Sequence, residues 1–275
     1  MMRATTILPA AAMALLATAG LSERGAAQAL AQRVRAVGDG TAEVRYATRP
    51  GICGNGTRGF SIGRHSYFGE WNSSDSRDYL RTCDPGARVR LRVEKGAVTS
   101  VHVLVGRGAS RRTSDDPVAD LGEVPSADAA SYFLSLAESG SGGRGSQGAI
   151  TAAVVADSVS VWQRLYAIAV DTARASSGTR REAMFWVSRF AAAKVTGHGE
   201  DIAAADEDDD RDDRDDSRDA AVFALSQLRG KQGVEPLITI ARSHKDPQLR
   251  QKAIFWLGQS GDPRAAQLFR EILRG

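Results

Sequence analysis

A short apolar pattern recurs three times in the C-terminal half of the chain, and this repetition restricts the possible folds more than any other feature. The copies read AMFWVS from Ala183, AVFALS from Ala221 and AIFWLG from Ala253, at spacings of 38 and 32 residues. A period of about 20–50 residues is typical of stacked helical units, because one amphipathic helix pair cannot bury its own apolar face. We therefore predict a mainly α protein whose residues 125–275 form an α–α superhelix, a solenoid.

The predicted solenoid contains about four helix pairs. A second repeated pattern supports them, because residues 165–169 (LYAIA) parallel residues 237–241 (LITIA). Small residues such as Ala221 and Ala253 suit close contacts between helices. The pairs are expected at 127–138 with 145–156, 160–173 with 180–193, 217–229 with 233–242, and 247–258 with 263–273.

Aromatic side chains mark the repeats, and two interpretations of them are open. The rings can fill the seams between repeats, or they can form a platform for a ligand. We favour packing in the core, because large rings at helical spacing are normally buried. The residues concerned are Phe185, Trp186, Phe223, Phe255 and Trp256.

The last repeat has the features of a known family. These features are Asp-Pro at 246–247, Arg250, Ala253, Leu-Gly at 257–258 and Gly-Asp-Pro at 261–263. Both prolines are expected at the first position of a helix, where no amide donor is lost. The unit resembles the HEAT-like repeat that is also found in phycobilisome lyases, and the resemblance extends more weakly through 217–245 and 125–194. It implies an α–α superhelix, but no lyase residue carries over, because such repeats serve many functions.

An acidic insert, residues 200–219, separates two of the repeats. The stretch Asp206 to Asp219 holds ten acidic residues and three arginines in a chain whose formal net charge is +3, so the rest of the chain is basic. The insert lacks the ligand spacing and the glycine of an EF-hand loop. It is therefore a solvated loop, a docking site for a basic partner or a weak cation site. The candidate docking residues are Asp208, Asp209, Asp210, Asp212 and Asp213.

Residues 30–110 are predicted to form a small β domain, a sandwich or partial barrel. Residues 88–93 (RVRLRV) alternate strictly, residues 98–105 return in phase, and Glu94-Lys95-Gly96 forms the turn between them. A second hairpin is expected from 34–37 and 42–47 around Gly38-Asp39-Gly40. Residues 111–124 are expected to be a polar linker to the repeats.

Cys53 and Cys83 are the two cysteines of the chain. Their spacing is not that of a Cys-x-x-Cys redox pair, and two cysteines without paired histidines make a poor zinc site. In an oxidising compartment such a pair is normally a disulfide. We therefore predict a Cys53–Cys83 disulfide that staples the β domain.

The N-terminus has the pattern of a bacterial export signal. Arg3 provides a positive charge, and residues 7–19 form an apolar run that is shorter than the ~20 residues needed to span a bilayer. Ala27-Gln28-Ala29 offers small residues for cleavage after Ala29. Residues 1–29 are therefore predicted to be a signal peptide, and the protein to be periplasmic or secreted with no membrane span after its removal.

Several other patterns do not support a catalytic or cofactor site. Residues 54–59 fit G-x-G-x-x-G, but no helix is expected to follow, as a dinucleotide site requires. The arginines at 88, 90 and 92 could contact an anionic polymer, but they fit the solvated face of a strand better. The histidines at 65, 102, 198 and 244 stand apart from any catalytic motif.

The sequence therefore favours a binding protein over an enzyme. We expect an exported, non-catalytic protein of the cell envelope that binds or scaffolds another macromolecule through its repeat surface, with no cofactor and no metal. A protein is the expected partner, and nucleic acid is not. The alternative is an envelope hydrolase or lyase-like enzyme whose site forms only in the folded chain.

Overall fold

The computed structural model describes residues 25, 27–54, 56, 59–63, 66–68, 83, 86–106, 117–139, 144–207 and 216–275. Their strands are β1 (Gly40–Tyr46), β2 (Ile52–Gly54), β3 (Phe60–Ile62), β4 (Ser66–Phe68), β5 (Ala87–Glu94), β6 (Ala97–Val105) and β7 (Val118–Glu123). Their helices are α1 (27–36), α2 (Ser126–Glu138), α3 (Arg144–Val154), α4 (Trp162–Val170), α5 (Ser177–Val195), α6 (Ile202–Glu207), α7 (Asp216–Ser226), α8 (Val234–Ser243), α9 (Pro247–Gln259) and α10 (Pro263–Arg274).

The strands β6, β5, β1 and β7 form one sheet in that order. The predicted β5–β6 hairpin is confirmed: the strands are antiparallel, with Leu91 opposite Val101. Lys95 and Gly96 both have positive φ at the turn, which a tight two-residue hairpin requires. The alternation buries one face, because Val89, Leu91 and the residues in phase with them point into the core.

The hairpin predicted at 34–47 is wrong. Residues 27–36 form helix α1, and β1 pairs instead with β5 and, in parallel, with β7. Ala27, Leu30 and Val34 are buried, and this i, i+3, i+7 spacing is the period of a helix. The predicted cleavage point after Ala29 falls inside α1.

The predicted linker at 111–124 also needs correction, because its last part, β7, is a strand of the sheet. Thr41 of β1 is in register with Val118 of β7, and the side chain of Leu121 is buried. Parallel pairing joins segments far apart in sequence, so local composition gives little sign of it.

Helices rather than a second sheet cover the buried face, so the predicted sandwich or partial barrel is wrong. Tyr46 of β1 donates a 2.6 Å hydrogen bond from its hydroxyl to the carbonyl of Ala152 in α3. A Cβ at Gly148 of α3 would collide with the carbonyl oxygen of Val101, so this glycine lets the helix lie directly on β6. The β region and the helices therefore share one continuous core.

The short strands β2, β3 and β4 form a separate antiparallel sheet. The predicted disulfide is confirmed: Cys53 of β2 is bonded to Cys83, with the two Cα atoms 4.1 Å apart. The sheet packs on α6, because Gly51 and Gly63 approach Ala203 closely enough to leave no room for a side chain. The disulfide-bonded segment is thus held against the helical half of the chain.

The last two helices begin where the sequence predicts. Asp246 and Asp262 are the N-caps of α9 and α10, and each carboxylate accepts a 2.9 Å hydrogen bond from the amide two residues later. Pro247 and Pro263 follow at the first helical position. These caps satisfy amides that the helix itself leaves unpaired.

Three of the four predicted helix pairs are confirmed, because α2 packs on α3, α4 on α5 and α7 on α8. Other contacts run across these pairs. α9 packs against α5 and α8, α7 packs against α8 and α9, and α10 packs on α5 more closely than on α9. A superhelix stacked in chain order would instead bring α7 against α5. The C-terminal half is therefore helical as predicted, but α9 packs on α5 and α8 more closely than on its predicted partner α10.

Candidate protein-binding surface

Equivalent aromatic residues of the three repeats lie in different environments. Trp186 is fully buried and Phe185 is partly buried, as expected for core residues. Phe223 is 47% exposed and Phe255 is 39% exposed, so the prediction that these rings fill the core is wrong for both. Ala221, expected at a close helix contact, is also exposed.

The aromatic pair of the first repeat is covered by a residue from the β region. The ring of Phe68 in β4 stacks on Trp186 with centroids 5.0 Å apart and meets Phe185 edge-on at 6.1 Å. Phe60 of β3 stacks on Phe68 in turn at 5.4 Å. The short sheet thus seats an aromatic side chain on the Phe–Trp pair of α5.

The corresponding rings of the other repeats, together with Leu228, form an open cluster. We call it the aromatic patch: Phe223, Leu228, Phe255 and Trp256. Trp256 contacts both phenylalanine rings at centroid distances of 5.1 Å. Leu228, just beyond α7, is 46% exposed. Large apolar residues clustered on a surface, rather than scattered over it, mark an interaction site.

A groove adjoins the aromatic patch where α7, α8 and α9 meet. Its volume is about 200 Å³, and Leu228 and Trp256 belong to both the groove and the patch. Leu237 forms part of its apolar wall, and Lys231 and Ser260 add polar groups. An apolar groove with a few polar groups can receive an anchoring side chain of a partner.

Acidic sequence leads directly into the helix that carries the patch. Asp219 of α7 pairs with Lys252 of α9, and Asp206 of α6 pairs with Arg189 of α5 at 2.9 Å. The candidate docking residues between them, Asp208, Asp209, Asp210, Asp212 and Asp213, lie outside the described residues.

The arginines of β5 have structural partners. Arg90 forms a 2.9 Å ion pair with Glu43 of β1, and Arg92 lies 3.7 Å from Glu94. Arg88 donates a hydrogen bond to the carbonyl of Gly56. Arg90 and Glu43 thus form a cross-strand ion pair on this face of the sheet, opposite each other in register.

The histidines and the glycine-rich motif do not form a common site. His102 is exposed on β6, and His244 accepts a 3.1 Å hydrogen bond from the amide of Asp246 at the start of α9. His65 and part of the motif at 54–59 lie outside the described residues. Where the chain is described, no three His, Cys, Asp or Glu residues are grouped as metal ligands.

Among the described helices, none is both long and apolar enough to cross a bilayer.

Comparison with known families finds a match over the C-terminal part of the chain. Residues 203–275 match a family model for HEAT repeats. This match covers α7 to α10 and includes every residue of the aromatic patch. No curated protein and no solved structure matches the chain.

The repeated sequence patterns contain a signal that could have indicated the exposed rings. α7 has Ala224 where α5 and α9 have Trp186 and Trp256. It also exposes Ala220 and Ala221 and buries Val222. A helix with so few large buried residues does not cover its neighbours, so the ring of Phe223 stays at the surface.

Proposed function

We propose that this protein is an exported, non-catalytic binding protein whose HEAT repeats dock a protein partner on the aromatic patch. The observation that carries the proposal is the exposure of Phe223 and Phe255 beside the partly buried Trp256. Aromatic residues next to a groove are the usual source of binding energy in protein interfaces.

Two features of the chain indicate which side chains of the partner the patch would accept. Phe68 covers the Phe–Trp pair of the first repeat, so a pair of this kind accepts an aromatic side chain. The equivalent pair Phe255–Trp256 retains an open side. The acidic run that leads into α7 favours basic residues beside that side chain. The proposed partner segment is therefore aromatic and basic.

Export to the periplasm or the medium is part of the proposal. It is supported by the charged and apolar N-terminal sequence and by the disulfide, which persists in oxidising compartments. Cleavage after Ala29 would remove Ala27 from α1 and leave Leu30 and Val34 in place. N-terminal sequencing of protein from the periplasm and the medium tests this step, and an unprocessed protein confined to the cytoplasm would contradict it.

A photo-crosslinking experiment tests the binding surface. A photoreactive phenylalanine analogue at Phe255 in the full chain should capture a discrete protein, identified by mass spectrometry. We expect Phe223→Ser and Phe255→Ser each to raise its Kd about tenfold or more, as loss of an interface hot spot does. Val170→Ser is the matched control, because Val170 is 45% exposed on α4, outside the patch.

The result that would overturn this surface is a captured protein that binds both serine variants as tightly as the original chain. Equal losses with Val170→Ser would show that general surface apolarity, rather than the patch, holds the partner.

The alternative of a hydrolase or lyase-like enzyme has one observation in its favour. Glu182, a carboxyl whose pKa is raised by burial, lines a cavity together with His102 and Thr151. Such a carboxyl can act as a general acid or base. Turnover of ester, glycoside or phosphoester substrates that is lost in Glu182→Gln would support this alternative.

A further inference from the structure

A second cavity lies between the β region and the helices, away from the aromatic patch. It has a volume of about 250 Å³, and β3, β4, β6, α3 and α5 contribute to its lining. Phe60, Phe68, Val101 and Val103 make most of the wall apolar, and Glu182 of α5 supplies a carboxyl. The cavity is smaller than the ~300 Å³ at which sites for drug-sized ligands begin.

The carboxyl of Glu182 is held in a fixed orientation. Its Oε1 atom accepts a 2.8 Å hydrogen bond from Nε1 of Trp186 and a 3.4 Å hydrogen bond from Oγ1 of Thr151. Both donors therefore use the same oxygen. Among the described residues, none forms an ion pair with Glu182 or donates a hydrogen bond to its Oε2 atom.

Partial removal of Glu182 from water is unfavourable for its ionised form, because no described residue forms an ion pair with it, although His102 lines the same cavity. Burial raises its pKa, and the hydrogen bonds from Trp186 and Thr151 oppose that rise. A ligand with a positive group would compensate the charge and gain a charge-assisted hydrogen bond.

We propose that this cavity binds a small organic cation, a primary amine carried on an apolar body such as one aromatic ring. The ammonium group donates to the carboxylate of Glu182, and the apolar body contacts Phe60, Phe68 and the two valines. The site shares no residue with the aromatic patch, so it does not depend on the proposed protein partner.

Other ligand classes fit the cavity less well. An anion would be repelled by Glu182, and a neutral ligand would leave the partly buried carboxylate without a compensating charge. A metal ion needs several ligand side chains, and no group of three such residues occurs in the described part of the chain. The amine is the class that both the wall and the carboxyl favour.

Benzylamine is the probe, with benzyl alcohol as a neutral molecule of nearly the same shape. In titrations of the full chain by calorimetry, we expect saturable binding of benzylamine that is weakened about tenfold or more by Glu182→Gln, the loss expected for a charged hydrogen bond. The glutamine keeps an oxygen that accepts from Trp186. Glu271→Gln, at an exposed carboxyl on α10, should bind benzylamine as the original chain does.

A measurement on the unmodified chain keeps the proposal testable if Glu182→Gln does not fold. The indole N–H resonance of Trp186 should shift on addition of benzylamine, because that group donates to Glu182. The indole resonances of Trp162 and Trp256, which do not line the cavity, should stay in place. The assignment of Trp186 comes from Trp186→Phe.

Three results would overturn the proposal. A Trp186 resonance that does not shift up to the solubility limit of benzylamine would show that the cavity does not bind the amine. Equal affinity of the original chain and folded Glu182→Gln would show that the carboxyl does not bind the amine. Equal affinity for benzyl alcohol and benzylamine would show that the cavity selects apolar bodies without regard to charge.

Discussion

Gly258 of α9 lies directly against Ser188 of α5: a Cβ at Gly258 would be 2.7 Å from Oγ and 2.8 Å from Cβ of that serine. The two residues occupy the same position in the repeated patterns AMFWVS and AIFWLG. Equivalent positions of two repeats thus form the crossing point of α5 and α9. The missing side chain at Gly258 sets how closely the two helices approach.

Gly258→Ala should destabilise the fold, because its new methyl group needs space that Ser188 occupies. Overpacking of this kind costs about 1–3 kcal/mol, which outweighs the ~1 kcal/mol that alanine gains over glycine within a helix. Urea denaturation followed by circular dichroism measures the change in the free energy of unfolding.

The double variant Ser188→Gly/Gly258→Ala is the control for that contact. It should be less destabilised than the sum of the two single variants, since neighbouring residues are not additive. Strict additivity would show that the α5–α9 crossing does not limit the size of residue 258.

Loss of the ion pair between Arg189 and Asp206 should strongly destabilise the helical core. The pair is 2.9 Å long, and its side chains are only 16% and 4% exposed. Asp206→Asn leaves a buried guanidinium without its charge partner, and breaking buried pairs in this way costs about 3–5 kcal/mol. Thermal unfolding followed by circular dichroism should show a large drop in Tm.

A surface pair provides the comparison for Arg189–Asp206. Arg242 and Glu271 are 2.6 Å apart, but their side chains are 54% and 46% exposed. Glu271→Gln should change the free energy of unfolding by no more than ~1 kcal/mol, as is usual for exposed pairs. Similar effects of Glu271→Gln and Asp206→Asn would contradict the importance of burial.

Removal of either aspartate cap should weaken the last repeat. Asp246→Ala and Asp262→Ala each take away the acceptor for a helix N-terminal amide, with an expected cost of about 1 kcal/mol. The matched variants Asp246→Asn and Asp262→Asn keep an acceptor and should cost less. Denaturant midpoints of the four variants measure the difference.

The contribution of Asp262 to stability should also depend on pH. Hydrogen bonds from Arg264 hold the pKa of Asp262 below its usual range. A carboxyl with a lowered folded pKa contributes stability that is present above its unfolded pKa and is lost as pH falls through its folded pKa. The effect of Asp262→Ala should therefore shrink in acid, and an effect that is constant with pH would contradict this cause.

Glu182 should make the folded chain less stable at neutral than at mildly acidic pH. Burial raises its pKa above the ordinary value of 4.5, so the folded state holds more protons than the unfolded state between the two pKa values. The free energy of unfolding therefore falls as pH rises through that window. The groups that face Glu182 are His102 and Thr151, which line the same cavity, and Trp186, whose indole N–H donates a hydrogen bond to the carboxyl.

Glu182→Gln removes this titration. Its free energy of unfolding, relative to that of the original chain, should increase as the pH is raised from near 4.5 to neutral. Urea denaturation over this pH range measures the difference, and Glu271→Gln serves as the exposed control. A difference that does not vary with pH would contradict a raised pKa at Glu182.

Features that depend on residues close in sequence could be predicted well. The β5–β6 hairpin followed from strict alternation and a glycine turn, and the starts of α9 and α10 followed from Asp-Pro. The disulfide followed from the two cysteines of the chain. A few neighbouring residues contain the physical cause of the hairpin and the helix starts, whereas the disulfide, which joins residues 30 apart, followed from there being two cysteines in a chain predicted to be exported.

The candidate site was predicted only in part. Sequence reasoning identified the aromatic residues of the repeats but placed all of them in the core. Phe223 and Trp186 belong to the same pattern, yet one is 47% exposed and the other fully buried. Nothing near Trp186 in sequence supplies its cover, because Phe68 comes from a strand more than a hundred residues earlier.

The sequence by itself therefore determined a β hairpin, a disulfide and a series of amphipathic helices with repeated aromatic positions. Only the tertiary structure decided that β7 joins the sheet, that α9 lies against α5, and that the rings of α7 and α9 remain at the surface. The reason is physical: turns, caps and periodicity act within a few residues, whereas burial depends on which distant segment packs against each face.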